Sequence, residues 1–360
     1  MKYIEEFGRK ADILKLADKI KKLNVKASLM EVCGTHTMAI FRFGLKDLLP
    51  KGIELISGPG CPVCVTSQED IDKMIAISRK KSVIITTFGD MMKVPGTSSS
   101  LSKEKANGAD IRIVYSPLDS LDIAKGNPDM SVVFMGVGFE TTAPTIAGTI
   151  IKAKRDKIKN FYVLVSHKTI PPAMEALLSL GEIRVDGFIC PGHVSAIIGS
   201  SAYENVARRF KVPCVVTGFE PVDILEAIYM LLRQKQKKEY KVENQYKRAV
   251  SKEGNIAAKN VLNEVFEPSD AVWRGIGTIP GSGLKLRGEY SRFDAEKKFA
   301  LKVRPARSNR NCMCGKILRG VSKPTDCRLF AKVCTPNKPL GPCMVSSEGT
   351  CAAYYKYRRN

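Results

Sequence analysis

The feature that most restricts the fold of this chain is a repeated pattern of apolar strand, glycine-containing loop and helix. Short apolar strands are predicted at 27–32, 53–57, 82–88, 111–115, 131–138, 161–166, 187–190 and 212–217. Most are followed by a loop with a polar or sulfur-bearing side chain and then by a helix. Strands that alternate with helices in this way are typical of a doubly wound parallel sheet. The sequence therefore predicts an α/β fold that carries its chemistry at the carboxyl ends of the strands.

The length of 360 residues exceeds what one ordinary hydrophobic core supports, so more than one domain is expected. We expect two doubly wound parallel-sheet domains, at 25–125 and 126–240, which face each other across a central cleft. A third, smaller part should combine residues 1–24 with residues 241–360. The first of these two segments is predicted to contain an amphipathic helix from about residue 5 to residue 23.

The chain is strongly basic, with 58 Lys and Arg against 36 Asp and Glu and a net charge of +22. A nucleic-acid-binding protein is one interpretation, but the basic residues are spread along the chain and no nucleic-acid-binding motif accompanies them. No apolar run approaches the ~18 residues of a membrane span, and the predicted N-terminal helix carries charges throughout, without an apolar core of the signal-peptide kind. We therefore expect a cytoplasmic protein without a membrane or nucleic-acid partner. In that compartment, eleven cysteines favour metal or redox chemistry over structural disulfides.

Residues 58–64 read Gly-Pro-Gly-Cys-Pro-Val-Cys and place two thiols, those of Cys61 and Cys64, on one stiffened loop. Such a pair either cycles between dithiol and disulfide or supplies two soft ligands to a metal ion. Two ordinary, semi-buried cysteines are the plainer alternative. The loop follows a predicted strand, which favours the functional interpretations.

A second loop of this kind contains Cys33 and His36, directly after the first predicted strand. Both side chains would then lie at the mouth of a crevice at the carboxyl edge of the sheet. The structural alternative is a helix capped by Thr35, with a buried cysteine beside the cap.

All three histidines of the chain, His36, His167 and His193, fall at predicted strand ends, which favours a functional role. Glu140 also follows a strand, either as a helix-capping acid or as a functional carboxylate. The glycines at 136–138 resemble a phosphate-binding turn. However, a third glycine and a following Lys-Ser or Lys-Thr pair are missing, so nucleotide binding there is not favoured.

Six of the eleven cysteines lie close to the C-terminus in a segment rich in Gly, Pro and Ser: Cys312, Cys314, Cys327, Cys334, Cys343 and Cys351. Such a segment buries little apolar surface and needs a metal or covalent link to keep its shape. Because the histidines are far away in sequence, an all-thiolate site is expected. The paired Cys-x-x-Cys spacing of zinc sites is missing here, which favours an iron–sulfur cluster with two spare thiols. We expect residues 1–24 and 241–360 to form a small irregular or helical iron–sulfur domain.

These motifs together resemble the HypD family of hydrogenase maturation factors, and the resemblance covers nearly the whole chain. It is carried by Glu31 to Thr37, Gly58 to Cys64, Gly136 to Thr142, Pro191 to Ser195, Gly218 to Pro221, Cys312 to Gly315, and Ser346 to Tyr355. It implies a 4Fe-4S cluster held by Cys312, Cys327, Cys334 and Cys351. The family's likeness to ferredoxin:thioredoxin reductase around the cluster implies a redox-active disulfide between Cys314 and Cys343. Spacing alone would allow either of those two as a cluster ligand.

The family resemblance also implies a function. With the small protein HypC, such a protein is expected to be the scaffold on which iron receives two cyanides and one carbon monoxide, with cyanide from HypE, itself supplied by HypF. Thiolates suit low-spin ferrous iron, which makes Cys33, Cys61 and Cys64 the expected iron holders. His36, His193 and Glu140 are then expected to donate protons or orient groups in the crevice. The alternative is a thiol–disulfide oxidoreductase that uses the same cysteines.

Overall fold

The computed structural model describes residues 10–301, 303 and 311–357. The predicted N-terminal helix is present from Lys10 to Leu23, and its expected first residues lie outside the described part of the chain. Eleven strands are described: β1 Ala27–Glu31, β2 Ile53–Ser57, β3 Val83–Thr87, β4 Asp110–Ile113, β5 Ser131–Gly136, β6 Phe161–Val165, β7 Gly187–Pro191, β8 Cys214–Thr217, β9 Val242–Asn244, β10 Phe266–Trp273 and β11 Gly277–Leu286.

Helices connect these strands and cover the sheets. In chain order they are α1 Lys10–Leu23, α2 Gly34–Arg42, α3 Leu45–Leu48, α4 Pro62–Val65, α5 Gln68–Ser78, α6 Leu101–Ala106, α7 Asp119–Gly126, α8 Ala143–Arg155, α9 Ile170–Leu180, α10 Gly192–Ile198, α11 Glu204–Phe210, α12 Pro221–Lys237, α13 Ile256–Val265, α14 Ala295–Phe299, α15 Cys314–Leu318 and α16 Thr350–Tyr357. Five short 3-10 helices occur at Gly89–Lys93, Ser200–Tyr203, Gly288–Phe293, Pro324–Asp326 and Pro342–Met344.

The strands form two parallel sheets and one antiparallel hairpin. The first sheet has five strands in the order β2-β1-β7-β8-β9, and the second has four in the order β4-β3-β5-β6. All pairings within both sheets are parallel, while β10 and β11 pair antiparallel. The predicted α/β class with two parallel sheets is confirmed, and the cysteine-rich C-terminal segment adds only short helices.

The sheets do not follow the ranges 25–125 and 126–240 that were expected to be domains. Strand β1 pairs with β7, so that Met30 lies beside Phe188, while β3 pairs with β5. The first sheet therefore takes strands from both ranges, and so does the second. Parallel neighbours are joined by long crossovers, and local sequence does not specify which strand lies next to which.

The central strands are apolar because both faces of a parallel sheet are covered by helices. In β5 every residue after Ser131 is buried, and β3 and β7 are buried along their whole length. The carboxyl ends of these strands are consequently the places where polar and sulfur-bearing side chains meet. The C-terminal segment packs there too, because the Ser346 hydroxyl donates a hydrogen bond of 2.8 Å to Asp90 Oδ2, just after β3.

Candidate functional site

Cys33 follows β1 and is the N-cap residue of α2, immediately before Gly34. Its N–H donates a hydrogen bond of 3.1 Å to Glu31 Oε2, and its thiol is buried. The helix cap is thus Cys33 and not Thr35, whose hydroxyl bonds to a distant carboxylate. Desolvation by burial raises the pKa of the Cys33 thiol to about 12. A bound cation would be needed to hold this sulfur as a thiolate at neutral pH.

The Cys61 loop, which follows β2, lies directly against the Cys33 loop. The Gly34 N–H donates a hydrogen bond of 2.9 Å to the Gly60 carbonyl. A side chain at Gly60 would overlap the backbone nitrogen of Cys33, so only glycine permits this approach. The structure therefore brings the two predicted thiol loops together at one edge of the first sheet.

Cys61 and Cys64 lie on a single helical turn whose first residue is Pro62. The Cys64 N–H donates a hydrogen bond of 3.3 Å to Cys61 Sγ, and both thiols are buried. Burial raises the pKa of Cys64 well above its usual value. All eleven cysteines of the chain are free thiols.

The C-terminal thiols continue this arrangement into a row. The thiol of Cys343 lies close enough to the thiols of Cys314, Cys351 and Cys64 to interact with each of them. The Sγ atoms of Cys314 and Cys312 are 3.3 Å apart. An uninterrupted row of thiols thus runs from Cys312 through Cys314, Cys343 and Cys64 to Cys61. We refer to these five residues as the thiol row.

The four cysteines that were predicted as cluster ligands line one small cavity. Cys312, Cys327, Cys334 and Cys351 line it, together with Cys314 and apolar side chains that include Phe330 and Met344. The Leu340 N–H donates a hydrogen bond of 3.3 Å to Cys334 Sγ, a contact of the kind that tunes a cluster sulfur ligand.

The cysteines around this cavity form an all-thiolate donor set of the kind that an iron–sulfur cluster takes. In the described part of the chain, no three His, Cys, Asp or Glu side chains are grouped as the site of one ion. In a 4Fe-4S cluster each thiolate binds a different iron, so the sulfurs surround a volume and do not converge on one point. A tetrahedral zinc site would require that convergence.

Two predicted histidines lie beside the Cys33 loop, on either side of Phe219. His36 is buried, and its Nε2–H donates a hydrogen bond of 2.9 Å to the Gly218 carbonyl. Burial lowers the pKa of His36 to about 4, so the ring is neutral and Nδ1 is an acceptor without a partner among the described residues. The His193 ring lies 4.1 Å from the Phe219 ring, and burial lowers its pKa as well.

Two carboxylates near Cys33 were missed as site residues. Glu348, from the segment before Cys351, accepts a hydrogen bond of 2.7 Å from the Thr35 hydroxyl, and its charge faces Cys33 and His193. Glu31 is buried at the end of β1, and burial raises its pKa to about 8. The sequence could have indicated both residues, because a carboxylate lies within each of two motifs that carry the family resemblance, Glu31-Val32-Cys33 and Ser346-Ser347-Glu348.

Glu140 and His167 are held away from these groups at the end of the second sheet. Glu140 Oε1 accepts a hydrogen bond of 2.9 Å from the Ile170 N–H, Oε2 has no described partner, and burial raises its pKa to about 7. His167 packs on Phe266, and burial lowers its pKa to about 3. Neither residue makes a described hydrogen bond or ring contact with Cys33, His36 or His193. Their strand-end positions were predicted correctly, but the edge belongs to another sheet.

Arg274 was not predicted as a site residue, yet its charge faces the thiol row. It follows β10, and it donates hydrogen bonds to the Thr66 carbonyl at 2.9 Å and to Gln68 Oε1 at 2.7 Å. The third guanidinium nitrogen, Nη2, is buried without a hydrogen-bond partner in the described structure. Burial lowers the pKa of Arg274, while thiolates at Cys314 and Cys343 would raise it.

Two parallel sheets, thiol-bearing loops at the carboxyl edge of the first, and a cysteine-lined cavity define a class of α/β protein whose cysteine-rich region is compatible with metal binding. A family model described as "Hydrogenase formation hypA family", and named HypD, matches residues 11–358. The chain belongs to this HypD family.

Relatives named as hydrogenase maturation factors are similar in sequence to this chain over its full length. The chain is 47% identical to hydrogenase maturation factor HypD2 of Bradyrhizobium diazoefficiens over 373 residues, covering 100% of this chain and 97% of the relative. It is 47% identical to hydrogenase maturation factor HypD of Azotobacter vinelandii, with 100% and 97% covered. It is 45% identical to hydrogenase maturation factor HypD of Escherichia coli, with 100% and 99% covered. Among the described residues, none of the helices has the length and apolar character needed to cross a membrane.

Proposed function

We propose that this protein is the scaffold on which the iron of a nickel–iron hydrogenase receives two cyanides and one carbon monoxide. Its family membership gives it a role in hydrogenase maturation. The observation that carries the finer proposal is the contact between the Cys33 and Cys61 loops through Gly34 and Gly60. Three soft sulfur donors thereby lie on adjoining loops, and soft donors suit low-spin ferrous iron. Because the described residues do not already group three such side chains around one point, the two loops must draw together to bind the iron.

In this proposal Cys33, Cys61 and Cys64 bind the incoming iron as thiolates. The Cys33 and Cys64 thiols are protonated in the free protein because burial raises their pKa, so iron binding to them releases protons. The neutral His36 can accept a hydrogen bond at Nδ1 from an arriving group, because its Nε2–H already donates to Gly218 and its lowered pKa keeps Nδ1 unprotonated. His193 and Glu348 flank the same crevice and would orient an arriving group. Glu140 makes no described hydrogen bond with Cys33, His36 or His193, so we assign it no step in the binding of iron. Its predicted role in the crevice stays a prediction.

The proposal gives the thiol row a redox role. A 4Fe-4S cluster bound by Cys312, Cys327, Cys334 and Cys351 would supply single electrons. With two electrons and two protons, a disulfide between Cys314 and Cys343 becomes two thiols. The Cys343 thiolate then attacks a Cys61–Cys64 disulfide at Cys64 and releases the Cys61 thiolate. Cys314 resolves the mixed disulfide, so Cys314–Cys343 reforms and Cys64 leaves as a thiol.

The contacts of Cys343 support that exchange. It touches both Cys314 and Cys64, which are the two partners that an attack and a resolution step require. We further propose HypC as the partner that completes the iron site, with a cysteine of its own as a ligand, and HypE as the source of cyanide, itself supplied by HypF. In this proposal, HypC would bring its cysteine and HypE its cyanide to the Cys33 loop.

The second candidate function is a thiol–disulfide oxidoreductase that reduces a protein substrate. The thiol row favours it directly, because the row would carry out the same exchange whether the final acceptor is an iron site or a substrate disulfide. This alternative predicts activity on disulfide substrates and requires no cyanide or carbon monoxide on the protein.

The test is an infrared spectrum of the protein purified without oxygen after co-expression with its HypC-like partner. We expect cyanide and carbon monoxide bands that disappear in Cys33→Ser while the visible absorbance of the cluster remains. Cys190→Ser is the matched control, because this buried thiol is hydrogen-bonded to Cys214 and lies outside the thiol row. Bands that persist in Cys33→Ser would remove the iron-holding role. An intact cluster without bands in the unaltered protein would favour the oxidoreductase.

A further inference from the structure

A groove of about 960 Å³ reaches the thiol row at Cys312 and Cys314. The serine-rich stretch around Ser98 to Ser102 and the segment from Asn337 to Pro342 both line it. Cys312, Cys314 and Arg274 line it as well. The proposed iron site at Cys33 does not line this groove, so the groove is a separate surface.

The charges along the groove all have one sign. Six basic residues line it, Lys93, Lys103, Arg274, Lys316, Arg319 and Lys338, and no Asp or Glu does. The four lysines are exposed, and no salt bridge joins any of them to a carboxylate in the described part of the chain. Arg319 is paired with Glu182. A second acid beside the groove, Asp72, accepts hydrogen bonds from the N–H and hydroxyl of the lining residue Thr97.

Cys312 gives the groove its second distinguishing property. It is the only one of the eleven cysteines that is not buried. Its sulfur lies 3.3 Å from that of Cys314, from which the thiol row continues into the protein. Any electron donor that reaches the thiols from solvent therefore has its shortest approach through this groove.

We propose that the groove is the docking surface of an acidic one-electron carrier protein. The inference rests on the proposed redox role of the thiol row. A concave surface of one charge raises the encounter rate of a partner of opposite charge, and weak redox complexes use small interfaces of this kind. Two carrier molecules in succession would each be oxidised by one electron. Those two electrons and two protons from solvent convert a Cys314–Cys343 disulfide into two thiols.

The composition of the groove favours a protein over a nucleic acid. Single-stranded nucleic acids bind where aromatic side chains stack on bases, and no Phe, Tyr or Trp lines the groove. Serines, glycines and prolines line it instead, together with Cys312 and Cys314. The excess of +22 on the whole chain does not by itself explain a surface from which carboxylates are missing.

The test uses the full-length protein with its cluster and, as the probe, a small acidic [2Fe–2S] ferredoxin in its reduced form. Binding is measured at low and at moderate salt for the unaltered protein and for the triple variant Lys93→Glu, Lys316→Glu, Lys338→Glu. The matched control, Lys15→Glu, Lys19→Glu, Lys22→Glu, changes the same charge on the exposed side of α1. We expect the groove variant to raise the dissociation constant about tenfold or more, and the control less than about twofold.

Three outcomes would overturn the proposal: no binding at low salt, equal weakening in both variants, or stronger binding of a single-stranded oligonucleotide through the same lysines. The infrared bands of the groove variant, recorded after chemical reduction, separate this inference from the proposed function. If the groove variant shows the infrared bands and binds ferredoxin as tightly as the unaltered protein, the docking proposal alone is refuted. If the groove variant alone loses ferredoxin binding, and the unaltered protein never shows the infrared bands, the iron-scaffold proposal is refuted. The groove then remains a docking surface.

Discussion

Glu348 Oε1 accepts a hydrogen bond of 2.7 Å from the hydroxyl of Thr35, and this bond joins the C-terminal segment to the Cys33 loop. The same segment carries Cys343 and Cys351, so the bond connects the thiol-rich end of the chain to the first strand of the first sheet. Gly34 lies under the contact, because a Cβ there would come within 2.5 Å of the Cβ of Glu348.

The Glu348–Thr35 pair should behave as one unit in stability measurements. We expect Glu348→Ala and Thr35→Val each to lower the free energy of unfolding by about 2 kcal/mol, because a hydrogen bond to a carboxylate is lost. The double variant should lose little more than either single variant. The unfolding temperatures of the three variants, followed by circular dichroism without oxygen, provide the measurement. Strict additivity would mean that the two side chains act independently.

Gly60→Ala should separate the two thiol loops. The new methyl group would overlap the backbone of Cys33, so the loops must move apart, at a cost of about 1–3 kcal/mol. We expect the infrared bands of the iron group to be lost and the cluster absorbance to remain. Gly148→Ala is the control, since this residue lies within α8 with no atom near an added Cβ. It should stabilise the protein by about 0.5–1 kcal/mol. Normal bands in Gly60→Ala would contradict the proposed iron site.

Glu140→Gln should make the protein more stable at high pH. The folded-state pKa of Glu140 is raised to about 7 from 4.5, so the folded protein holds a proton that the unfolded chain has lost. The stability contribution of Glu140 therefore falls as the pH rises from about 4.5 to about 7. Glutamine keeps the acceptor for the Ile170 N–H without ionising. We therefore compare the free energy of unfolding of the variant with that of the unaltered protein. This difference should favour the variant by about 2 kcal/mol more at pH 8 than at pH 4.5. Parallel pH profiles of the two proteins would show that Glu140 stays ionised in the fold.

Arg274→Gln should make the proposed Cys314/Cys343 couple harder to reduce. Its charge faces these sulfurs, and reduction followed by deprotonation places negative charge on them. We expect the midpoint potential to become more negative by about 30 mV or more, which corresponds to about 1.4 kcal/mol for two electrons. Redox titration with thiol labelling measures it. Lys316→Gln, which removes an exposed charge, should leave the potential within a few millivolts, and an equal shift in both variants would contradict the role of Arg274.

The sequence predicted the sheet class because buried parallel strands have an unmistakable apolar composition and are separated by helices. It also predicted that Cys33, His36, Cys61, Cys64 and His193 follow strands. It did not reveal that β1 lies beside β7, because parallel pairing is decided by packing over long crossovers. Strand β9 was missed as well, since its three half-buried residues lie within a basic stretch and show no apolar run.

The contact between Cys64 and Cys343 could not be predicted from spacing either. The two thiols meet only because the C-terminal segment packs on the loop after β2, and no local pattern encodes that packing. Arg274 escaped notice for the same reason. An arginine after a strand is usually a solvated residue, and its role emerges only from the thiols of other segments around it.

The interleaving of strands in the first sheet has a consequence for how the protein is made. Strands β1 and β2 emerge early from the ribosome, but β7 and β8, their partners in the sheet, follow more than a hundred residues later. Contacts so distant along the chain form slowly, so the Cys33 and Cys61 loops have no supporting sheet during most of synthesis. The last segment, with Cys343 and Glu348, then closes over them. In the proposed function, iron therefore meets a complete site only after the C-terminal segment has been synthesised.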